Sequence, residues 1–280
     1  MNKYLVLFLS ACLLLQTPNV IGNTLQDEYV NENSESEVWI HSGSRRIYGV
    51  LSRPKSVKGK CPLVIIAHGF NGTHHFGKNY FKPLNDMGYQ CFSFDFPCGS
   101  VNSRSDNNTM EMSVLDEVND LKTIIRYFKE TPNSDVSDIV VIGESQGGLV
   151  AALTASEMRK EIKKLILVYP ALCIPDNWNS RYQDVAAIPD TTRLWNVPMG
   201  KRFFMELRDM KVFDAIAKFK RPVLIIQGDA DRIVSLEDSR RAVELYKKAH
   251  LHIIPNAGHG FKPHEFRECV EQIQHFLNSH

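Results

Sequence analysis

Six short apolar runs, each parted from the next by a helical pattern or a turn, constrain this chain more than any other feature. They are Leu63 to His68, Tyr89 to Phe94, Ile139 to Gly143, Leu165 to Tyr169, Val223 to Gln227 and Leu251 to Pro255. Several run without a polar break, as a strand must when both of its faces are covered. The clearest helix starts after Ser113, an N-cap residue, and sets Val114, Val118, Leu121, Ile125 and Phe128 at spacings of four and three. Others are expected over Gly147 to Arg159, Leu236 to Ala249 and Glu265 to Asn278. Strands and helices in alternation predict an α/β fold: a mostly parallel central sheet with helices on both faces. Ahead of it, Val38 to His41 and Arg46 to Arg53 flank Ser42-Gly43-Ser44 and predict a hairpin.

The rhythm fails between Pro170 and Lys220, where periodicity is weak and Pro175, Pro189 and Pro198 interrupt it. A structureless loop of that length does not suit a compact domain. The expectation is a small cap, residues 170–220, inserted into a sheet domain spanning 37–280. At 280 residues the core needs neither disulfide nor metal to hold it. Residues 23–36 are polar and acidic and read as a flexible leader.

Residues 1–22 read as a signal peptide: Lys3, an apolar run from Leu5 to Leu15, and Val20-Ile21-Gly22 before a cut. The run is too short to span a bilayer comfortably and no later segment comes close, so no transmembrane segment is expected in the mature chain, with a retained anchor as the remaining alternative. Export to the periplasm or the medium is the expectation. A rival reading takes Leu9-Ser10-Ala11-Cys12 as a lipoprotein box with Cys12 lipidated. Cleavage after Gly22 removes Lys3 alone, so Lys plus Arg becomes 33 − 1 = 32, equal to the 32 Asp plus Glu. A neutral chain has no nucleic-acid footprint, and the four basic residues between Met158 and Lys164 read as a solvated helix end. Cys61, Cys91, Cys98, Cys173 and Cys269 remain, an odd number without CxxC spacing, which fits neither a disulfide framework nor zinc.

The run Ile139 to Gly143 leads into Gly143-Glu144-Ser145-Gln146-Gly147, the pattern G-x-S-x-G, followed by a small-residue helix. A strand-turn-helix elbow displays its serine, and flanking glycines let strand and helix approach. Ser145 is therefore a candidate nucleophile. The plainer alternative is a serine that caps the helix. A hydroxyl needs an imidazole to take its proton and a carboxylate to hold that imidazole. Both follow in the chain order expected of an elbow nucleophile. The run Val223 to Gln227 ends in Gly228-Asp229-Ala230-Asp231, and Leu251 to Pro255 ends in Asn256-Ala257-Gly258-His259. Each lies past the carboxyl end of a strand, where open α/β sheets place their sites. Asp231 is preferred to Asp229, which directly follows the turn glycine and can brace its loop. His252 lies inside a strand, and His264, His275 and His280 lie on or after the last helix.

An oxyanion needs two donors. One candidate is the backbone amide of Gln146. The other is the amide of Phe70, in the loop His68-Gly69-Phe70-Asn71-Gly72 after the first parallel strand. His68, His74 and His75 lack a carboxylate or cysteine at ligand spacing, so no metal is expected.

These motifs resemble the α/β-hydrolase family, over Val38 to His280, and within it the capped esterases that cleave cinnamoyl and feruloyl esters. The carriers are His68-Gly69-Phe70, Phe94-Asp95-Phe96, Gly143 to Gly148, Arg221-Pro222-Val223, Asp231-Arg232-Ile233-Val234 and Ala257-Gly258-His259-Gly260-Phe261. The resemblance implies Ser145 as nucleophile with Asp231 and His259, an oxyanion hole from the Phe70 and Gln146 amides, and a cap over an acyl pocket. It implies a serine esterase that needs no cofactor and takes a small-molecule ester, such as a hydroxycinnamate of the plant wall. The chain departs from the pattern at Pro97-Cys98-Gly99-Ser100, at Gln227, where histidine is more usual, and at Ser235, where proline is common. Two other functions fit the residues: a serine peptidase, with Asp176, Asp184 or Glu206 binding a peptide amine, and a non-catalytic binding module.

Overall fold

The computed structural model describes residues 33–55, 57, 59–131 and 134–279. The expected signal peptide and most of the expected leader lie outside the described residues. The leader's last residues do not: β1 (Asn33–Ser42) starts inside it and pairs with β2 (Arg45–Pro54) from Asn33↔Pro54 to Ser42↔Arg45. Alternating Val38 and Ile40 give that strand an inward face, and pairing with β2 carries its polar start along.

The chain continues through β3 (Cys61–Ala67), α1 (His74–Gly77), α2 (Phe81–Asn85), β4 (Gln90–Phe94), α3 (Val114–Glu130), β5 (Ser134–Glu144), α4 (Gln146–Glu157) and β6 (Ile162–Val168). Next come α5 (Ile174–Arg181), the hairpin β7 (Thr191–Leu194) and β8 (Val197–Gly200), α6 (Lys201–Glu206) and α7 (Val212–Ile216). The last elements are β9 (Val223–Gly228), α8 (Leu236–Leu245), β10 (Ala249–Ile254) and α9 (Pro263–Asn278). One eight-stranded sheet runs in the order β1-β2-β4-β3-β5-β6-β9-β10. β2 is antiparallel to β1 and β4, and from β4 onward every pairing is parallel. This is the mostly parallel sheet that the alternation of runs predicts, in the α/β-hydrolase arrangement that the resemblance implies.

Two apolar layers sandwich the sheet, and the period of two in a strand sorts its side chains between them. Leu63, Ile65, Val141, Leu165, Leu167, Val223 and Ile225 face the layer containing α3 and α4. Val64, Ile66, Val140, Ile142, Ile166, Val168, Leu224 and Ile226 face the layer containing α2 and α9. Each such side chain contributes about 1.5–3 kcal/mol of burial, so the sheet's carboxyl rim stands on a rigid base. On α3, Ser113 accepts a hydrogen bond from the Asp116 amide at 3.0 Å, and Val114, Val118, Leu121, Ile125 and Phe128 are all buried.

α8 stops at Leu245, short of the expected Ala249, because the backbone is already committed to the sheet: Lys248 O accepts from Val223 N at 2.8 Å. Ser235, the departure from the usual proline, caps α8 by accepting from the Glu237 amide. Between β6 and β9 the chain forms short helices and a hairpin. Phe203 and Phe204 are buried there, and Trp178 and Tyr182 each pack edge-on against Phe204. Among the described residues no helix is long and apolar enough to cross a membrane.

Candidate active site

β5 passes into α4 through Ser145, whose φ of 51° and ψ of −119° cost a non-glycine residue free energy. The surroundings enforce the conformation. Ser145 N donates to Val168 O at 3.1 Å, and Ser145 O accepts from Gly148 N and Ala171 N, both at 2.9 Å. The glycines on either side are required by space. A Cβ on Gly143 would lie 2.4 Å from Gly147 O, and one on Gly147 would lie 2.4 Å from Ala67 O. Ser145 occupies the N-cap position of α4, yet its side chain makes no capping bond. Its Oγ lies 2.9 Å from His259 Nε2 instead.

His259 Nδ1 lies 2.9 Å from Asp231 Oδ2. A carboxylate cannot donate, so Nδ1 carries the proton and Nε2 is left as the acceptor for the Ser145 hydroxyl. Asp231 is sealed in by further donors. Its Oδ1 accepts from the amides of Ile233 at 2.8 Å and Val234 at 3.0 Å, and its Oδ2 also accepts from Gln227 Nε2 at 2.9 Å. Burial alone would raise this carboxyl, but the bonds from His259 and the two amides outweigh it and hold Asp231 below its usual value. Asp229 has the other job considered for it: its Oδ1 accepts from Asn256 N at 2.6 Å and braces the turn that carries His259. His252 pairs with Glu268 at 2.7 Å, away from this row.

The loop after β3 passes close to the nucleophile, since a Cβ on Gly69 would lie 3.0 Å from Ser145 Cβ. Buried His68 pins that loop. Its Nδ1–H donates to Gly69 O at 2.7 Å, and its Nε2 accepts from Phe96 N at 3.0 Å. His74 is used in the same way, with Nδ1 2.8 Å from Asp95 Oδ1. Phe70, Ser145 and Gln146 all line one cavity. As the first residue of α4, Gln146 has an amide without an acceptor inside its own helix.

Two hollows meet at Ser145. The larger, about 560 Å³, is mostly apolar and bounded by Ile174, Trp178, Leu194, Trp195 and Phe203. The smaller, about 180 Å³, has His259, Tyr169, Gly260 and Phe76 on its wall. Phe70 and Trp195, edge-to-face at 5.8 Å, border both. Trp195 is 62% exposed at the tip of the β7–β8 hairpin.

Four contributors escape a reading of motifs alone. Gln227, visible only as a departure from a family pattern, is a direct partner of Asp231 and is itself held by Ser239 Oγ at 3.0 Å. Tyr169 packs its ring 4.9 Å from that of His259. Glu144, inside the motif, is buried beside Tyr80 Oη, which donates to it at 2.5 Å; burial raises its carboxyl to about 8. Glu117, on the inner face of α3, meets the Gln146 side chain.

A family model described as serine aminopeptidase, S33, matches residues 59–212 of the chain. The Bacillus subtilis protein named "Uncharacterized peptidase YtmA" is 25% identical over 170 residues, covering 57% of this chain and 62% of that protein. The Mycoplasma pneumoniae protein named "Putative esterase/lipase 2" is 30% identical over 106 residues, covering 38% of this chain and 37% of that protein. The chain thus spans less than two thirds of either of these curated relatives. Among solved structures, Est1E from Butyrivibrio proteoclasticus with ferulic acid bound superposes with a TM-score of 0.78 at 28% identity, over 86% of this chain and 97% of that one. With the family model covering more than half of its length and the sheet, elbow and rim arranged as described, the chain belongs to the serine aminopeptidase S33 family of α/β-hydrolases.

Proposed function

We propose that the protein is a serine esterase that cleaves carboxylic esters through an acyl-enzyme. Ser145 attacks the ester carbonyl as His259 Nε2 takes its proton. Asp231 keeps His259 in the required tautomer and stabilises the imidazolium. The amides of Phe70 and Gln146 receive the oxyanion. His259 then returns the proton to the departing alcohol, and a water activated by the same nitrogen releases the acid. The observation that carries this reading is the unbroken row from Ser145 Oγ to His259 to Asp231, each link 2.9 Å, at the mouth of an apolar cavity.

The acyl group belongs in the larger hollow, whose aromatic walls suit a flat hydroxycinnamoyl group, and residues 170–220 act as its cap. The Est1E structure with ferulic acid supports that class. His259 borders the smaller hollow, so the alcohol leaves through it. A peptidase is the second reading, favoured by the family description and by the Bacillus relative. Its amine-binding carboxylate is not found among the residues bordering the larger hollow. Asp184 caps a helical turn and Glu206 bonds Ser113 Oγ at 2.6 Å. Export of the mature chain after Gly22 is part of the proposal, and amino-terminal sequencing of the protein recovered outside the cytoplasm checks it.

The test is a panel comparing methyl ferulate, phenyl acetate and an aminoacyl arylamide, with fluorophosphonate labelling located by mass spectrometry. Label on Ser145 with ester turnover is expected. Arylamide turnover with inert esters transfers the site to the peptidase reading, and an unlabelled, inactive protein removes both.

A further inference from the structure

The buried face of α3 is apolar apart from two carboxylic acids: Asp120, which pairs with Ser42 and Arg45, and Glu117, which meets α4. Glu117 is 2% exposed, and among the described residues no basic side chain is hydrogen-bonded to it. Its two oxygens lie 3.0 and 2.9 Å from Nε2 of Gln146, which is 3% exposed and also touches Met112 Sδ at 3.8 Å. Burying an acid is costly unless something in the fold uses it. Gln146 is the residue after the nucleophile, and its peptide is the plane that follows the strained φ and ψ of Ser145. Such a peptide keeps its orientation only while its surroundings over-determine it.

We propose that Glu117 is a positioning residue: its buried carboxyl grips the side-chain amide of Gln146 and so fixes the Gln146 backbone N–H toward the substrate's carbonyl oxygen. The inference rests on the reading of Ser145 as nucleophile. Without the grip the Ser145–Gln146 peptide relaxes, and the donor moves off the line on which the oxyanion forms. Ground-state binding in the apolar hollow hardly senses that movement, so the loss falls on kcat rather than on KM.

The same geometry has a charge consequence. Glu117 faces Gln146 on α4, Asp120 on its own helix, Glu206 on α6 and Arg45 on β2. Burial raises its carboxyl to about 8, against the Gln146 bond and Arg45, while Asp120 and Glu206 add to the rise. Below that pH it is neutral; above it, a negative charge appears beside the place where another must develop, and turnover falls.

Phenyl acetate turnover and inhibition by an aryl trifluoromethyl ketone, whose adduct carries the oxyanion, are measured for the wild type, Glu117→Met and Glu117→Gln from about pH 6 to about pH 9.5. Glu117→Met should lower kcat about tenfold to a hundredfold, leave KM within about twofold, and weaken the ketone by the factor lost from kcat. Glu117→Gln keeps an acceptor for Gln146 Nε2, so it should retain most of the turnover at neutral pH and lose the alkaline decline. Unchanged kcat in Glu117→Met, in a wild type that turns over ester and labels at Ser145, overturns this inference and leaves the esterase standing. If Glu117→Met fails to fold, an alkaline decline in Glu117→Gln at the wild-type pH overturns it. A wild type that neither turns over nor labels removes both.

Discussion

Replacing Ser145 by glycine should give a more stable protein than replacing it by alanine. Both changes delete the hydroxyl and its 2.9 Å contact with His259, so that loss cancels between them. What differs is the backbone. With φ at 51° and ψ at −119° the residue has the dihedral angles of the first central position of a type II′ turn, a conformation glycine favours. Alanine retains the strain, about 1–3 kcal/mol, and glycine sheds it. Against this, glycine makes the unfolded chain freer, at about 0.4–1 kcal/mol. The difference therefore favours glycine by about 0.5–2 kcal/mol. In a chain of this size that separates the two melting temperatures by about 1–8 °C. In an ordinary helix the order is reversed, with alanine ahead by about 1 kcal/mol, so the sign alone decides. Urea and thermal unfolding of the two inactive variants, side by side, measure it. Alanine equal to or above glycine would refute the claim that the elbow is held under strain.

Asp231→Asn should reduce kcat about ten-thousandfold with the fold intact, because an amide in that cage presents a donor to Nδ1 and favours the wrong imidazole tautomer; steady-state kinetics beside circular dichroism test it. The carboxylate's depressed value gives stability that is present above about pH 4 and lost as pH falls through its folded value, so this variant should also show a shallower acid limb in urea midpoints. Gln227→Leu removes one donor from Asp231 Oδ2 and should lower kcat about tenfold at nearly constant KM; a value within twofold of wild type would leave Gln227 a bystander. Glu144, raised to about 8, binds its proton more tightly folded than unfolded, so its contribution is full below about pH 4.5 and disappears as pH climbs to about 8. Glu144→Gln should flatten that decline by up to about 1.4 kcal/mol per pH unit, read from urea unfolding at successive pH values.

The parts of the molecule that local pattern controls are the parts legible in the sequence. Ile139 to Gly143 announces a covered strand, Ser113 announces a cap, and the glycines around Ser145 announce a close approach whose distances the structure supplies. Choosing Asp231 over Asp229 needs only the reach of a side chain beyond its turn, and Asp231 lies against His259 while Asp229 holds the Asn256 amide. Pairings across long sequence separations stay hidden. Glu117 looks like an acid placed in a helix's first turn, a routine position, and only the approach of α4 makes it a partner of Gln146. Gln227 looks like a lost histidine until Asp231 is folded back against it. The start of β1 stays hidden too, because its polar residues belong to the sheet only through their pairing with β2.

Ser145 stands on the wall between two chambers of unequal size. On the proposed esterase reading, tethering the acid portion of a substrate in the roomy chamber vacates the narrow one, and whatever resolves the tether must arrive through it. Water always fits. A short alcohol of similar bulk to the one expelled fits as well, so at high alcohol concentration the protein would pass its cargo to a new carrier instead of setting it free. The dimensions of the exit, rather than those of the storage space, then decide which carriers qualify.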